Sequence, residues 1–257
     1  MKYKNIFSKQ KDGICYLTIN RPKKLNALNE ATILELSNAI KSADEDKLVR
    51  CIILTGADTK AFVAGADIKE FSSFNLKEGE DLARKGQELL FDLIENISTP
   101  SIAAINGFAL GGGLELAISC HIRVASENAK MGFPEVSLGV IPGYGGTQRL
   151  ANLVGKGIAM EMITTAGMIT ANEAQKWGLV NHVCSQQELI ILAEKIAEKI
   201  KRNSPMAIGK AIKTVNAGFI DGIDGFEVEK KEFGSCFGTP EFIEGTTAFM
   251  ERRKANF

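Results

Sequence analysis

Hydrophobic and polar positions follow two alternating periodicities along the first two thirds of the chain. Short apolar runs with the length of buried strands alternate with segments in which apolar residues return every three or four positions, as on one face of a helix. Strands are predicted at 14–20, 51–55, 101–106 and 122–125, and helices at 31–43, 76–96 and after Gly111. Strands that alternate with helices are typical of a largely parallel sheet covered by helices, so the pattern predicts an α/β fold.

Helical periodicity dominates from Gly145 onward, and chemical start signals mark several helices. The spacing of a capping box, or of an N-cap before proline, occurs at three places: Thr170 with Glu173, Ser185 with Glu188, and Thr239 with Pro240. Leu189, Leu192, Ile196 and Ile200 form an apolar stripe, which predicts a core or subunit contact rather than a cofactor site. The carboxyl-terminal third is therefore predicted to be a helical layer with surfaces available for oligomer contacts.

The charge balance excludes several classes of partner. Lys plus Arg and Asp plus Glu both number 31, so no overall field draws the protein to nucleic acid or to an anionic membrane. The amino-terminal MKYKNIFSKQKDG has no apolar stretch after its charges, and the apolar region 102–118 is interrupted by polar residues and glycines. We therefore expect no secretory signal, no membrane span and a cytoplasmic location. The five cysteines are scattered without a C-x-x-C pair, so neither a disulfide framework nor a zinc site is expected.

Three glycine-bearing segments are candidates for chemistry, at 62–71, 106–117 and 132–150. None has the spacing of a dinucleotide-binding or P-loop motif. The triplet Gly111–Gly113 precedes a predicted helix, where unpaired backbone N–H groups can bind an oxyanion, and the small residues Ala64–Ala66 can supply a second donor. The alternative interpretation is that the triplet only permits tight packing of a helix on a strand.

Two glutamates occupy apolar surroundings, where a carboxylate is costly unless it is paired or protonated. Glu115 lies in LELAIS and Glu135 in GFPEVSLGVIP, and two such groups can have separated pKa values that suit one acid and one base. A helix-terminal charge at Glu115 and a loop salt bridge at Glu135 remain the alternatives. Neither histidine has the context of a catalytic triad, and no metal-ligand pattern occurs. Proton transfer next to a polarised carbonyl is the chemistry that remains.

Five segments together resemble the crotonase, or enoyl-CoA hydratase, family: RPKKLNALN, FVAGADIKEF, NGFALGGGLELA, PEVSLGVIPGYGGTQRL and TAFMERRKANF. The similarity covers nearly the whole chain. It implies a crotonase-like spiral of β-β-α repeats in residues 1–195 and a helical trimerisation region in 196–257. It also implies a homo-oligomer, either a trimer or a dimer of trimers.

The resemblance assigns catalytic roles as well. It implies that the backbone N–H groups of Ala66 and Gly112 bind the thioester oxygen. Glu115 is expected to deprotonate the water that attacks C3, and Glu135 to protonate C2. The implied activity is that of a hydro-lyase, which adds water reversibly and syn to trans-2-enoyl-CoA to give 3-hydroxyacyl-CoA. A short-chain substrate such as crotonyl-CoA is expected.

By the same resemblance, coenzyme A is bound largely through backbone as part of the substrate, with no separate cofactor and no metal. The implied contacts are Lys24, Leu25, Asn26, Ala27, Ala64, Ala66, Asp67, Ile68, Gly112 and Gly143, with Arg252 and Lys254 approaching from a neighbouring subunit. Two rivals stay open. One is another acyl-CoA enzyme of the family, such as an isomerase, decarboxylase or dehalogenase, and the other is a non-catalytic RNA-binding member. Retention of both glutamates favours hydration, and the balanced charge argues against RNA.

Overall fold

Ten strands in two sheets organise the part of the chain that the computed structural model describes, residues 3–257. Met1 and Lys2, the first residues of the segment in which no secretory signal is expected, lie outside it. The strands are β1 Ile6–Lys11, β2 Ile14–Ile19, β3 Cys51–Gly56, β4 Ala61–Ala64, β5 Ser101–Ile105, β6 Phe108–Leu110, β7 Ile122–Ser126, β8 Lys130–Gly132, β9 Met168–Thr170 and β10 His182–Cys184. One sheet has the order β1-β2-β3-β5-β7-β10 and the other the order β4-β6-β8-β9.

The helices lie between and after these strands. They are α1 Glu30–Glu45, α2 Leu76–Gly86, α3 Asp92–Asn96, α4 Gly112–Ser119, α5 Gly146–Val154, α6 Lys156–Thr165, α7 Ala171–Lys176, α8 Leu189–Ile200, α9 Pro205–Ala217, α10 Gly225–Gly234 and α11 Pro240–Met250. A π-helical segment, Gln87–Phe91, joins α2 to α3, so the helix expected at 76–96 is continuous but not uniform. Short 3-10 turns occur at Pro22–Lys24, Ile68–Glu70 and Glu135–Leu138.

The chain advances by a repeated β-β-α unit. In β3-β4-α2 and β5-β6-α4 the first strand enters the six-stranded sheet, the second enters the four-stranded sheet, and a helix follows. Apart from the antiparallel pairs β1-β2 and β8-β9, the strand pairings in residues 3–257 are parallel. The predicted parallel α/β arrangement is therefore confirmed, and the repeat is the crotonase-like spiral that the resemblance implied.

Two of the three predicted helix starts are confirmed. The Thr170 hydroxyl accepts from the Glu173 N–H at 3.2 Å in a full capping box, and the Thr239 hydroxyl accepts from the backbone of α11. The capping box at Ser185 is wrong, because the Glu188 N–H donates to the Ser185 carbonyl oxygen instead of its hydroxyl. The backbone makes a turn there, and α8 begins only after Glu188.

Helix α8 covers one face of the six-stranded sheet. Its Leu189, Ala193 and Ala197 are buried in a cluster with apolar side chains of β3, β5 and β7, and the rest of its stripe packs against that cluster. The stripe is therefore core, as predicted. The boundary expected at residue 195 falls inside this helix, and the helices that follow it begin with α9. Within residues 3–257, no helix combines the length and the apolar character that crossing a bilayer requires.

Candidate active site

The glycine triplet brings the start of α4 against β4. A Cβ atom at Gly113 would overlap the carbonyl oxygen of Val63, so only glycine allows this approach. Gly111 precedes the helix with φ 51° and ψ −125°, a conformation that a side chain would strain. The packing interpretation is thus right for Gly113. It does not exclude an oxyanion site, because the Gly112 N–H at the start of α4 donates to no protein oxygen in residues 3–257.

Ala66 and Gly112 lie side by side, as expected of two donors to one oxygen. A Cβ atom at Gly112 would lie 3.8 Å from the backbone nitrogen of Ala66. Ala66 is held by a bridge to Leu28, whose N–H donates to the Gly65 carbonyl and whose carbonyl accepts from the Asp67 N–H. In the described chain, neither the Ala66 nor the Gly112 N–H donates to a protein oxygen. Both donors are therefore free for a ligand.

Glu115 is buried in the first turn of α4, with 1% of its surface exposed. Its Oε1 accepts hydrogen bonds from the backbone N–H groups of Tyr144 at 2.7 Å and Gly146 at 2.8 Å. Burial raises the pKa of Glu115 to about 7; the Gly146 hydrogen bond opposes this, the charge of Glu135 adds to it, and the Tyr144 bond opposes it. The side chain is a carboxyl group that changes protonation near neutral pH, which is more than a helix-terminal charge.

Glu135 begins a 3-10 turn on the other side of Gly111. Its Oε1 lies so close to Gly111 that a Cβ atom there would overlap it. Its buried Oε2 has no hydrogen-bond partner, and no ion pair to Glu135 occurs in residues 3–257. Burial raises the pKa of this carboxyl group, which favours its protonated form. The alternative of a loop salt bridge is wrong, and the two glutamates are near enough for their charges to interact.

The segments expected to hold coenzyme A also lie together. The Ala64 N–H donates to the Leu25 carbonyl at 3.0 Å, which joins 24–27 to 64–68. The Asn26 amide is buried and donates to the carbonyl groups of Ala57 and Ala61, so this side chain serves the fold. In the same two segments, the side chains of Lys24 and Ile68 are exposed, where a ligand can reach them.

Asp67 pairs with a cation of its own chain. Its carboxylate accepts from Arg21 at 3.0 Å, and this hydrogen bond is the main reason that its pKa is lowered. The same guanidinium donates to the Ala27 carbonyl. Arg21, which the sequence did not single out as a site residue, therefore ties the two segments together.

Gly143, Arg252 and Lys254 complete the expected contacts. Gly143 adjoins Tyr144 in the loop that binds Glu115, so it lies at the site. Arg252 and Lys254 are exposed after α11, and in residues 3–257 neither side chain has a hydrogen bond to 64–68. Their approach to a neighbouring subunit stays a prediction.

No group of three or more potential metal ligands occurs among His, Cys, Asp and Glu in the described part of the chain.

Several known proteins are similar to this chain over nearly its full length. The family profile described as enoyl-CoA hydratase/isomerase matches residues 9–257. The chain is 45% identical to the crotonyl-CoA hydratase of Syntrophomonas wolfei, over 100% of this chain and 99% of that protein. It is 46% identical to the short-chain-enoyl-CoA hydratase of Clostridium acetobutylicum, over 99% and 97%. The chain therefore belongs to the enoyl-CoA hydratase/isomerase family.

Solved structures agree with this assignment. An enoyl-CoA hydratase from Bacillus anthracis matches with a TM-score of 0.91 at 38% identity, over 99% of each chain. DspI of Pseudomonas aeruginosa matches with a TM-score of 0.94 at 31% identity, over 100% of this chain and 98% of that one. The crotonase-like fold, including the helices after α8, is thus that of the family.

Proposed function

We propose that the chain is an enoyl-CoA hydratase, a hydro-lyase that adds water reversibly and syn to trans-2-enoyl-CoA and forms 3-hydroxyacyl-CoA. The observation that carries the proposal is the pair of carboxyl groups, buried Glu115 and half-buried Glu135, beside the free N–H groups of Ala66 and Gly112. Short-chain substrates such as crotonyl-CoA are proposed because the relatives from S. wolfei and C. acetobutylicum carry those names.

The proposed reaction divides the work between backbone and carboxyl groups. The N–H groups of Ala66 and Gly112 bind the thioester oxygen, which gains negative charge as water adds, so they stabilise the transition state more than the substrate. Glu115 takes the proton from the water that attacks C3. Glu135 gives its proton to C2, and its raised pKa keeps that proton available.

Coenzyme A enters the proposal as part of the substrate. Residues 24–27, Ala64, Ala66, Asp67, Ile68, Gly112 and Gly143 would hold it in the same chain, and Arg252 with Lys254 would approach its phosphates from another subunit. The reaction needs no further cofactor and no metal, so dialysis against a chelator is expected to leave the rate unchanged. A loss of rate that added Mg²⁺ or Zn²⁺ restores would contradict this part.

The assembly proposed is a trimer or a dimer of trimers in the cytoplasm. Exposed apolar side chains concentrate after α8, at Val215, Phe219, Ile220, Ile223, Phe226, Phe233, Phe237, Ile243, Phe249 and Met250. So many exposed large apolar side chains are typical of a subunit interface. Sedimentation equilibrium tests this, and a monomer would contradict it. A place in short-chain fatty acid or butyrate metabolism belongs to the same proposal.

The activity is tested by following loss of the enoyl-thioester absorbance with C4, C8 and C16 trans-2-enoyl-CoA. The expected result is fastest turnover of the C4 substrate, with a product heavier by one water. Absence of turnover, together with isomerisation of a 3-enoyl-CoA, decarboxylation or dehalogenation, would instead identify another enzyme of the family. A salt-dependent shift of RNA without turnover would support the non-catalytic alternative.

A further inference from the structure

We propose that Gln87 and Arg149 are positioning residues for Glu115: they fix the 143–146 loop so that its backbone N–H groups stay on the carboxylate. The inference rests on the proposed function, in which Glu115 is the base. Neither side chain is hydrogen-bonded to Glu115 in the described chain, although the charge of Arg149 also lowers the Glu115 pKa. Each acts on a carbonyl oxygen of the loop.

Gln87 controls the peptide group that binds Glu115 most closely. Its Nε2 donates to the Gly143 carbonyl oxygen at 2.7 Å, and the N–H of that same peptide group is the Tyr144 N–H, which donates to Glu115 at 2.7 Å. A peptide group is planar, so a hydrogen bond at its oxygen fixes the direction of its N–H. Gln87 therefore orients the Tyr144 donor from the opposite end.

The Arg149 guanidinium fixes the next peptide group, and the main chain at the start of α5 fixes the one after it. The Arg149 Nη1 donates to the Tyr144 carbonyl at 2.9 Å, and the Arg149 backbone N–H donates to the Gly145 carbonyl at 3.0 Å. The N–H of that second peptide group is the Gly146 donor to Glu115. The side chains of Gln87 and Arg149 thus anchor the carbonyl oxygens of Gly143 and Tyr144, and main-chain bonds of α5 anchor that of Gly145.

The guanidinium is itself fixed by two carboxylates. Its Nη2 lies 2.6 Å from Asp92 and 2.7 Å from Glu95, and Nε donates to Glu95 at 3.0 Å. Only 11% of the Arg149 side chain is exposed, so the guanidinium is held by charge-assisted bonds from a largely buried position, although Asp92 and Glu95 remain partly exposed. A rigid guanidinium with several fixed donors can hold a backbone carbonyl in one place.

The helix beneath the loop has an irregularity at the point of contact. Gln87 opens the π-helical segment, and such segments are frequent at functional sites. At the end of the segment, the Phe91 ring stacks on Tyr144 with 4.6 Å between centroids. A Cβ atom at Gly86 would overlap the Tyr144 ring. The segment is therefore shaped to receive the loop.

Packing does not by itself explain why two polar side chains, Gln87 and Arg149, occupy these positions. Both border a cavity of about 750 Å³ whose lining includes Glu95 and Gly145. Gln87 and Arg149 face this open space on one side, and on the other their polar atoms are used in hydrogen bonds to the loop. The consequence for Glu115 is electrostatic, because the two loop N–H bonds oppose the effect of burial on its pKa.

The test compares Gln87→Met with the wild type, because methionine keeps the length of glutamine and removes the donor. A looser loop stabilises the Glu115 carboxylate less. The acidic limb of kcat/KM against pH for crotonyl-CoA is therefore expected to move up by about one unit, a tenfold loss of rate below the limb. KM is expected to change less than kcat, because Gly143 is the one proposed substrate contact to which Gln87 is hydrogen-bonded. Gln148→Met is the matched control, since this exposed glutamine donates only to Thr147.

A second readout does not need activity. In protein labelled with ¹³C at glutamate carboxyl carbons, the Glu115 resonance is identified by its loss in Glu115→Gln, and its titration midpoint is compared between wild type and Gln87→Met. A higher midpoint in the variant supports the proposal, and equal midpoints with equal pH profiles overturn it. Arg149→Lys retains one donor and is expected to give an intermediate shift. A wild type that hydrates no enoyl-CoA would refute the proposed function, while the resonance would still test the positioning.

Discussion

The two glutamates on either side of Gly111 are held in opposite ways. Glu115 lies within a helix, is almost fully buried, and has one oxygen bound by two backbone N–H groups from a distant loop. Glu135 lies in a short 3-10 turn, is half-buried, and has a buried oxygen without any hydrogen-bond partner in residues 3–257. Burial raises the pKa of both carboxyl groups, but two N–H groups stabilise ionised Glu115, whereas the buried Oε2 of Glu135 has no such donor.

This difference suits one base and one acid in a shared site. A base must tolerate negative charge before it takes a proton, and the N–H groups on Glu115 provide for this. An acid must keep its proton until the substrate carbon accepts it. Burial raises the pKa of Glu135 against a smaller opposing effect of its own backbone N–H, and its Oε2 has no donor that would stabilise the ionised form. The hydrogen bonds of the two residues thus differ in the way that a base and an acid require, because ionised Glu115 has two N–H donors and the Oε2 of Glu135 has none.

The largest expected effect comes from removing each carboxyl group. Glu115→Gln and Glu135→Gln should each lower kcat by about 10²–10⁴-fold, the usual contribution of an acid or a base. Steady-state hydration of crotonyl-CoA over a range of pH separates the roles. Loss of Glu115 should abolish the acidic limb, where a base becomes protonated, and loss of Glu135 the basic limb, where an acid becomes ionised. A variant that retains near wild-type turnover contradicts the role of its residue.

An effect on stability comes next. A glutamate in water has an ordinary pKa of 4.5, whereas the pKa of Glu115 in the folded protein is about 7, so between these values the folded protein binds more protons than the unfolded chain. Wild-type stability should therefore fall as pH rises through this window, by on the order of 3 kcal/mol. Glutamine at position 115 does not ionise, so the Glu115→Gln protein should not lose stability in this way. Urea unfolding at pH 8 should therefore give a higher free energy of unfolding for Glu115→Gln than for the wild type. Equal pH dependence of the two proteins would show that the Glu115 pKa is not raised.

The main strands and the two candidate glutamates could be predicted from the sequence because their signals are local. The long apolar runs of β3 and β5 are recognisable, and so are carboxylates placed in apolar stretches. Strands such as β6 and β8 have only three residues, too few to show a periodicity, so the second sheet followed only from the family resemblance. The alternation of strands and helices alone indicated one sheet.

The contacts that distinguish Glu115 from Glu135 could not be predicted from the sequence for a different reason. The donors to Glu115 are main-chain groups of Tyr144 and Gly146, and a backbone N–H leaves no residue signature. The glycine-rich stretch PGYGGTQR marks a loop, but its position against α4 depends on contacts 56 residues apart in sequence, between Gln87 and Gly143. The failed cap at Ser185 has a similar cause, since spacing alone does not reveal which oxygen accepts the bond.

The smallest expected effect comes from adding a single methyl group next to one glutamate or the other. A Cβ atom at Gly146 would lie 2.8 Å from Cγ and Oε1 of Glu115, and one at Gly111 would overlap Oε1 of Glu135. Gly146→Ala and Gly111→Ala should each displace one carboxyl group and lower kcat by about 10-fold to 10²-fold, since small misplacements of a reacting group are costly. The pH profile should change on its acidic side for Gly146→Ala and on its basic side for Gly111→Ala.

Controls separate this displacement from backbone strain. Gly155 has φ +80° and Gly157 is helical, and neither has an atom within 4 Å of an added Cβ. Gly155→Ala reproduces the positive-φ strain of Gly111→Ala, and Gly157→Ala reproduces the helical setting of Gly146→Ala, but neither moves a carboxyl group. Both controls should therefore keep wild-type pH profiles, even where thermal unfolding shows a lower Tm. If Gly111→Ala and Gly146→Ala instead change the same limb, the two carboxyl groups act as one coupled unit, and the division into base and acid fails.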